Sequence, residues 1–430
     1  MCDTVRARKT IAVSVGKRTS LMLLACLLCG SAASFVQTAC ADDVPAPATV
    51  SADRLAAYID SVQHPATGLP VSFAHSRDAL LTDVVFTYDA AVASLVLAHA
   101  GHWSAAQRAL STFLHMPLPS GKHATFNTAY AVGTSTPTLE YRVHGGPIFW
   151  MAIALMRYGE AAKSQEHLDR GLALLEWART HLSHHGGGVV MGFQGEWASL
   201  MSVENNWVYY AALRLATRLL SDGPQRTALL RERRGVYHWL ATHLHDRGAE
   251  DSVKALDVYT HALLVGPEAH LEDGGFADAA ALAVWAQRHI AELDVLFEVP
   301  DSPLYDYTDG RERQVIGRER AAWLEGTEQA VVAYRTWAVW FERQGDREYA
   351  RALRLKADLA HAAVLRWALP MAGAVAVPNT DAPTPFRTFH DGWMARPRTE
   401  PALNGTNWAY LAATGYDPFC MPLPSSPASK

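Results

Sequence analysis

Residues 202–224 read SVENNWVYYAALRLATRLLSDGP, and their interpretation decides the fold. A glycine-rich loop from Gly186 to Gly195 leads into this stretch. Ser202 is a residue type that caps a helix, which puts Glu204 in the first turn. Ala211, Leu213, Ala216 and Leu219 then continue at helical spacing. Ser221-Asp222-Gly223-Pro224 is a turn, and residues 225–246 carry on as a second helix richer in Arg, Glu and His. An apolar helix followed by a charged one reads as a hairpin with one buried and one water-facing member.

The same unit recurs along the chain. Apolar periodicity predicts twelve helical segments near 51–63, 83–100, 103–116, 146–160, 166–183, 203–221, 225–246, 254–265, 276–292, 323–344, 347–366 and 402–414. Segments 83–100, 146–160, 203–221, 254–265, 323–344 and 402–414 are apolar all round. Segments 103–116, 166–183, 225–246 and 347–366 carry charged stripes. Inner and outer helices alternating in this way predict an all-α fold, an (α/α)6 toroid, spanning residues 42–430 as one domain. A tetratricopeptide array needs a strict period, which this chain lacks. Long connections at 117–145, 184–202, 298–322 and 367–401 are rich in Gly, Pro, His, Tyr and Trp, and suit the walls of a cleft.

Composition narrows the function. The 430 residues are 49% hydrophobic and 19% charged, enough for a large core. Thirteen Trp, fifteen Tyr and thirteen Phe serve either helix packing or the apolar faces of sugars. Net charge is −5 and no basic block occurs beyond the N-terminus, which disfavours nucleic acid as a partner. Residues 1–41 have the pattern of an export signal: basic residues from Arg6 to Arg18, an apolar run from Leu21 to Cys29, and an Ala39-Cys40-Ala41 cleavage site. Cleavage would leave Cys420 as the single cysteine, without a disulfide, and no long apolar run for stable membrane insertion.

Three helix starts concentrate acidic and aromatic residues. The first is Phe86-Thr87-Tyr88-Asp89, with Thr87 a possible cap. The second is Glu204-Asn205-Asn206-Trp207-Val208-Tyr209. The third is Trp323-Leu324-Glu325-Gly326-Thr327-Glu328-Gln329. Each acid has a plain structural role open to it, complementing the helix dipole. Two successive Asn are poor helix formers, so their amides are expected to be engaged. Gly326 inside a helix start suggests close approach by a ligand or another backbone. Asn404-Gly405-Thr406-Asn407-Trp408 repeats the second motif's composition. His144 precedes Gly145-Gly146-Pro147, Phe149 and Trp150, and Trp197 lies in an aromatic loop. No zinc, P-loop, dinucleotide or nucleophile-elbow motif is present, so neither a metal nor a cofactor is expected.

In their order, these motifs resemble the six-hairpin (α/α)6 glycosidase superfamily, most closely secreted bacterial proteins with "TYD-A", "EHN-D-Y" and "W-EGT-Q" helix starts. Thr414-Gly415-Tyr416-Asp417-Pro418-Phe419 is also similar to that group. Asn205 and Trp207 stand where its second motif has His and Asp. The resemblance implies an exported protein acting on a polysaccharide or oligosaccharide. A carboxyl pair would come from Asp89 and Glu204, with Glu325 and Glu328 as substitutes. Tyr88, His144, Trp150, Trp197, Asn205, Asn206, Trp207, Tyr209, Trp323, Asn404 and Trp408 would line the sugar site. Two alternatives stay open. One is a polysaccharide lyase or uronyl epimerase, in which Tyr88, Tyr209, Tyr259 with His261, and Asn206 would gain importance. The other is a non-catalytic sugar-binding component of an exopolysaccharide system. A carboxyl at a helix start is expected to stay ionised unless it is desolvated, which suits a base or nucleophile better than an acid and leaves the roles of these carboxyls open.

Overall fold

The computed structural model describes residues 50–116, 127–139, 143–193, 195–244, 254–388 and 394–427. The export signal expected at 1–41 lies outside the described residues. The described residues form one compact unit.

Among the described residues there are fourteen α-helices. They are α1 (Ala52–Ser61), α2 (Thr87–His99), α3 (Trp103–His115), α4 (Gly145–Ala162), α5 (Gln165–His181), α6 (Val203–Leu219) and α7 (Pro224–His243). The rest are α8 (Leu256–Leu264), α9 (Gly266–Asp273), α10 (Ala279–Phe297), α11 (Gly310–Ile316), α12 (Leu324–Arg343), α13 (Arg347–Leu365) and α14 (Leu403–Thr414). Helices α2, α4, α6, α8, α12 and α14 pack neighbour on neighbour, and α14 closes the ring against α2. These are the six segments whose apolar residues run all the way round. Nearly every residue of α2 and α14 is buried, as a helix enclosed on all sides requires. Helices α3, α5, α7 and α13 pack behind the preceding inner helix, and α10 behind α8. The sixth hairpin joins the ends of the chain, because α1 lies against α14. The result is an (α/α)6 toroid.

Local chemistry sets the boundaries. Ser202, Asp278 and Asp346 accept hydrogen bonds from first-turn amides and start α6, α10 and α13. The segment at 254–265 does not simply end. Gly266 adopts φ +80, Pro267 begins a new turn, and the chain re-enters as α9. The loop at 298–322 contains α11, capped by Asp309 and stopped by Gly317 at φ +66. Other connections form short antiparallel sheets, of which Leu369–Met371, Ala374–Pro378 and Pro401–Ala402 is the largest beside α14. Thr87 is not a cap: Phe86 holds that position, and the Thr87 hydroxyl donates to the Asn127 carbonyl.

Gly326 sits in a close approach. A Cβ there would meet the Trp323 ring at 2.3 Å and a Leu256 methyl at 2.8 Å. The nearest atoms belong to two side chains and not to another backbone. Among the described residues no helix is long and apolar enough to cross a membrane.

Candidate active site

The first turns of the six inner helices open onto one cavity of ≈ 320 Å³. Helix α2 contributes Tyr88 and Asp89, and α6 contributes Glu204 and Asn205. Helix α8 supplies Asp257, α12 supplies Glu325, and α14 supplies Asn404. At the start of α4, His144, Gly146 and Pro147 complete the ring. Consecutive inner helices present the same end here, so residues far apart in sequence share a wall. Four carboxyls converge, and no Lys or Arg is among the described residues lining the cavity.

Glu325 is the most constrained of the four. It is 3% exposed. Tyr88 donates to its Oε1 at 2.6 Å, and the Trp408 indole donates to the Tyr88 oxygen at 2.6 Å. The Gln329 amide approaches Oε1 at 3.5 Å, and its own oxygen accepts from Thr260 at 2.7 Å. Burial pushes the Glu325 carboxyl up to about 8, and the nearby Asp89 and Asp257 charges add to this, while the Tyr88 hydrogen bond opposes it. Asp89 is likewise buried and is pushed up to about 7 by desolvation, opposed by a hydrogen bond with Ser72. Desolvation, the exception to ionised helix-start acids, thus applies at Asp89 and Glu325. A helix dipole is worth roughly 0.3–1 kcal/mol near a surface, and losing water outweighs it.

Glu204 differs. Its side chain is 24% exposed, and its Oε1 lies 3.7 Å from Nδ1 of His261. His261 is buried, and neither ring nitrogen has a hydrogen-bond partner among the described residues. Burial lowers its pKa to about 3, so the imidazole is neutral. His144 is also held neutral, at about 4, by burial. Its Nε2 lies 3.1 Å from the Asn205 amide nitrogen, and Trp197 meets its ring edge-on. Gly146 makes room for this pair, since a Cβ there would stand 2.1 Å from the Asn205 oxygen.

The opposite wall is aromatic. Trp323 stacks on Tyr307 with centroids 4.5 Å apart and planes 12° apart, and Tyr307 donates to Asn379 at 2.8 Å. Trp150 lines the cavity and meets Tyr88 edge-on.

Other residues singled out in the sequence lie elsewhere. Trp197 touches His144 but does not line the cavity. Asn206 exchanges hydrogen bonds with the backbone of Val189 and donates to the Ser202 carbonyl, tying the glycine-rich loop to α6. Trp207 packs among Tyr210, Tyr237 and His270. Tyr209 stacks on Phe149 and donates to Glu232. Glu328 is fully buried and bonds His361 of α13 at 2.8 Å, joining an inner helix to its outer partner. Trp408 lies behind Tyr88. The paired Asn motif thus divides by helical rotation: Asn205 faces the cavity, and Asn206 faces the loop.

Asp257, Gln329, Tyr307 and Asn379 line the cavity without having stood out in the sequence. Asp257 carried a readable signal, an acid in the first turn of an inner helix, as at Asp89 and Glu204. Tyr307 and Asn379 come from irregular connections, where periodicity says nothing. Among the described residues no group of three or more His, Cys, Asp or Glu is arranged to hold a metal ion.

The molecule has an (α/α)6 toroid fold, which it shares with solved structures of sugar-active enzymes. Among solved structures it is similar to cellobiose 2-epimerase from Spirochaeta thermophila DSM 6192, with TM-score 0.61, 14% identity and coverage of 84% of this chain and 93% of that one. It is also similar to a D-mannose isomerase, with TM-score 0.59, 10% identity and 85% and 95% coverage. A glycosidase variant in complex with glucose gives TM-score 0.56, 10% identity and 85% and 95% coverage. At these identities the likeness concerns the fold. No protein-family model and no curated protein matches the sequence.

Proposed function

We infer that this chain is an exported glycoside hydrolase that takes a sugar unit of a polysaccharide or oligosaccharide into the cavity. The observation that carries the reading is Glu325: a buried carboxyl, protonated near neutral pH, sharing a cavity with the partly exposed Glu204. A general acid needs a pKa near the working pH, and its partner carboxyl must be ionised. Glu325 donates its proton to the glycosidic oxygen as the C–O bond breaks. Glu204, partly exposed at the cavity wall, supplies the second carboxylate. Water provides the hydroxyl that joins the sugar carbon, and its remaining proton restores the acid. Trp323, held flat by Tyr307, offers a surface for the apolar face of the ring.

A second reading rests on His261. A neutral imidazole beside Glu204, with neither nitrogen hydrogen-bonded among the described residues, at the wall of a sugar-sized cavity, suits proton transfer at carbon. The structural neighbours that are a cellobiose 2-epimerase and a D-mannose isomerase make sugar epimerisation or isomerisation the form of that reading. Uronate chemistry is less well supported, because the described lining residues include no cationic side chain to pair a substrate carboxylate.

Incubation with a panel of oligosaccharides in D2O separates the readings. Hydrolysis releases new reducing ends without a carbon–deuterium bond. Epimerisation or isomerisation leaves chain length unchanged and places deuterium beside the carbonyl carbon. Binding without either product would leave a sugar-binding protein. Export is tested by N-terminal sequencing of the secreted protein, with a start at Asp42 expected.

A further inference from the structure

Trp408, Tyr88 and Glu325 come from α14, α2 and α12, which are consecutive around the inner ring. Their hydrogen bonds run in one direction. An indole N–H can only donate, so the Tyr88 oxygen must accept from Trp408 at 2.6 Å. The single Tyr88 proton then goes to Glu325 Oε1, also at 2.6 Å. The Gln329 amide addresses the same Oε1. The Trp323 side chain also addresses this carboxyl; with the Tyr88 and Gln329 donors both on Oε1, a proton on the Glu325 carboxyl belongs on Oε2. Without the indole, the tyrosine hydroxyl could turn and accept that proton instead, hiding it from a substrate.

We propose that Trp408 is a positioning residue: it locks Tyr88 as a hydrogen-bond donor to Glu325 Oε1, and so keeps the Glu325 proton on Oε2. This deepens the glycosidase reading, and rests on it for the use of the proton but not for the relay itself. Donation by the indole also polarises the Tyr88 hydroxyl and strengthens its bond to the carboxylate. Loss of the relay therefore favours the neutral carboxyl and raises its titration midpoint. The other ionisable groups sharing the cavity are Asp89 from α2, Glu204 from α6, Asp257 and His261 from α8, with His144 and Tyr307 from connecting segments. Helix α14 presents Trp408 and Asn404, neither of which titrates.

The test follows the infrared C=O stretch of the protonated carboxyl against pH, assigned to Glu325 by its loss in Glu325→Gln. Trp408→Phe should move the midpoint upward by about half a pH unit or more, and Tyr88→Phe by at least as much. Benzothienylalanine at position 408 keeps the indole's shape and replaces N–H by sulfur. It should reproduce the Trp408→Phe shift, and it decides the matter if the phenylalanine variant fails to fold. A midpoint that is unmoved or falls in the folded position-408 variants overturns the relay, even where hydrolysis is observed. A midpoint that rises without any detectable hydrolysis supports the relay and removes the glycosidase reading. Where turnover is measured, the benzothienylalanine variant should lower kcat with KM nearly unchanged, because Trp408 does not line the cavity.

Discussion

Tyr88 and Glu325 are 237 residues apart in sequence, and their side chains meet at 2.6 Å across the mouth of the inner ring. The bond joins the first turns of α2 and α12. It couples the placement of an acid to the closure of the toroid, since α14 lies between those two helices and supplies Trp408 to the same tyrosine.

The alkaline side of the pH–rate profile should report Glu325. With its carboxyl held at about 8 by burial, kcat/KM should decline as pH rises through that region, when the acid loses its proton. Glu325→Gln should lower kcat by about 10²–10⁴-fold. Glu328→Gln should stay within a few-fold of wild type, because Glu328 bonds His361 and does not line the cavity. Equal losses in the two variants would remove Glu325 from its assigned role.

The same carboxyl should cost stability at high pH. Its folded pKa lies above its ordinary value of 4.5, so between pH 4.5 and about 8 the folded state holds a proton that the unfolded state has released. Stability then falls as pH rises, by about 1.4 kcal/mol per unit for one such group. Glu325→Gln removes this dependence. Urea melts should find the variant more stable than wild type at pH 8, with the gap closing near pH 4.5. Parallel pH dependence in the two proteins would show that Glu325 titrates normally.

Gly326→Ala sets helix propensity against packing. Alanine gains about 1 kcal/mol over glycine in a helix. Its methyl would stand 2.3 Å from the Trp323 ring and 2.8 Å from Leu256, and overpacking of this kind costs about 1–3 kcal/mol. The expected outcome is net destabilisation in a urea titration, together with weaker sugar binding as Trp323 is displaced. A more stable variant with unchanged binding would mean that the ring moves freely.

Asn205 and Asn206 should separate by phenotype. Asn206→Ala removes three hydrogen bonds to backbone atoms of Val189 and Ser202. It should lower stability by about 1–3 kcal/mol, the range for leaving buried partners unsatisfied. Asn205→Ala should lose far less stability and should act on substrate binding, because that side chain lines the cavity beside His144. Thermal melts combined with KM measurements check both. Matching stability losses would contradict the division.

The ring of inner helices was legible because burial on all sides excludes charge, and α2, α4, α6, α8, α12 and α14 carry that mark throughout. Asp89, Glu204, Glu325, His144 and Asn404 stood out as polar residues at the starts of apolar helices, and they meet in one cavity. Rotation about a helix axis was not legible. Asn206, Trp207 and Tyr209 share a helix start with Glu204 and Asn205, yet they turn toward the loop and the outer layer. Ionisation was left open for the same reason. A helix dipole can be read from position, but desolvation depends on neighbours from distant segments.

Periodicity and composition by themselves determined the toroid, its inner and outer helices, and the rim where its chemistry gathers, because these follow from local spacing and the exclusion of charge from a core. Only the tertiary structure decided which acid is protonated, which amide faces the cavity, and that Trp408 reaches Glu325 through Tyr88. Those outcomes depend on burial and hydrogen-bond direction among helices that meet only when the ring closes.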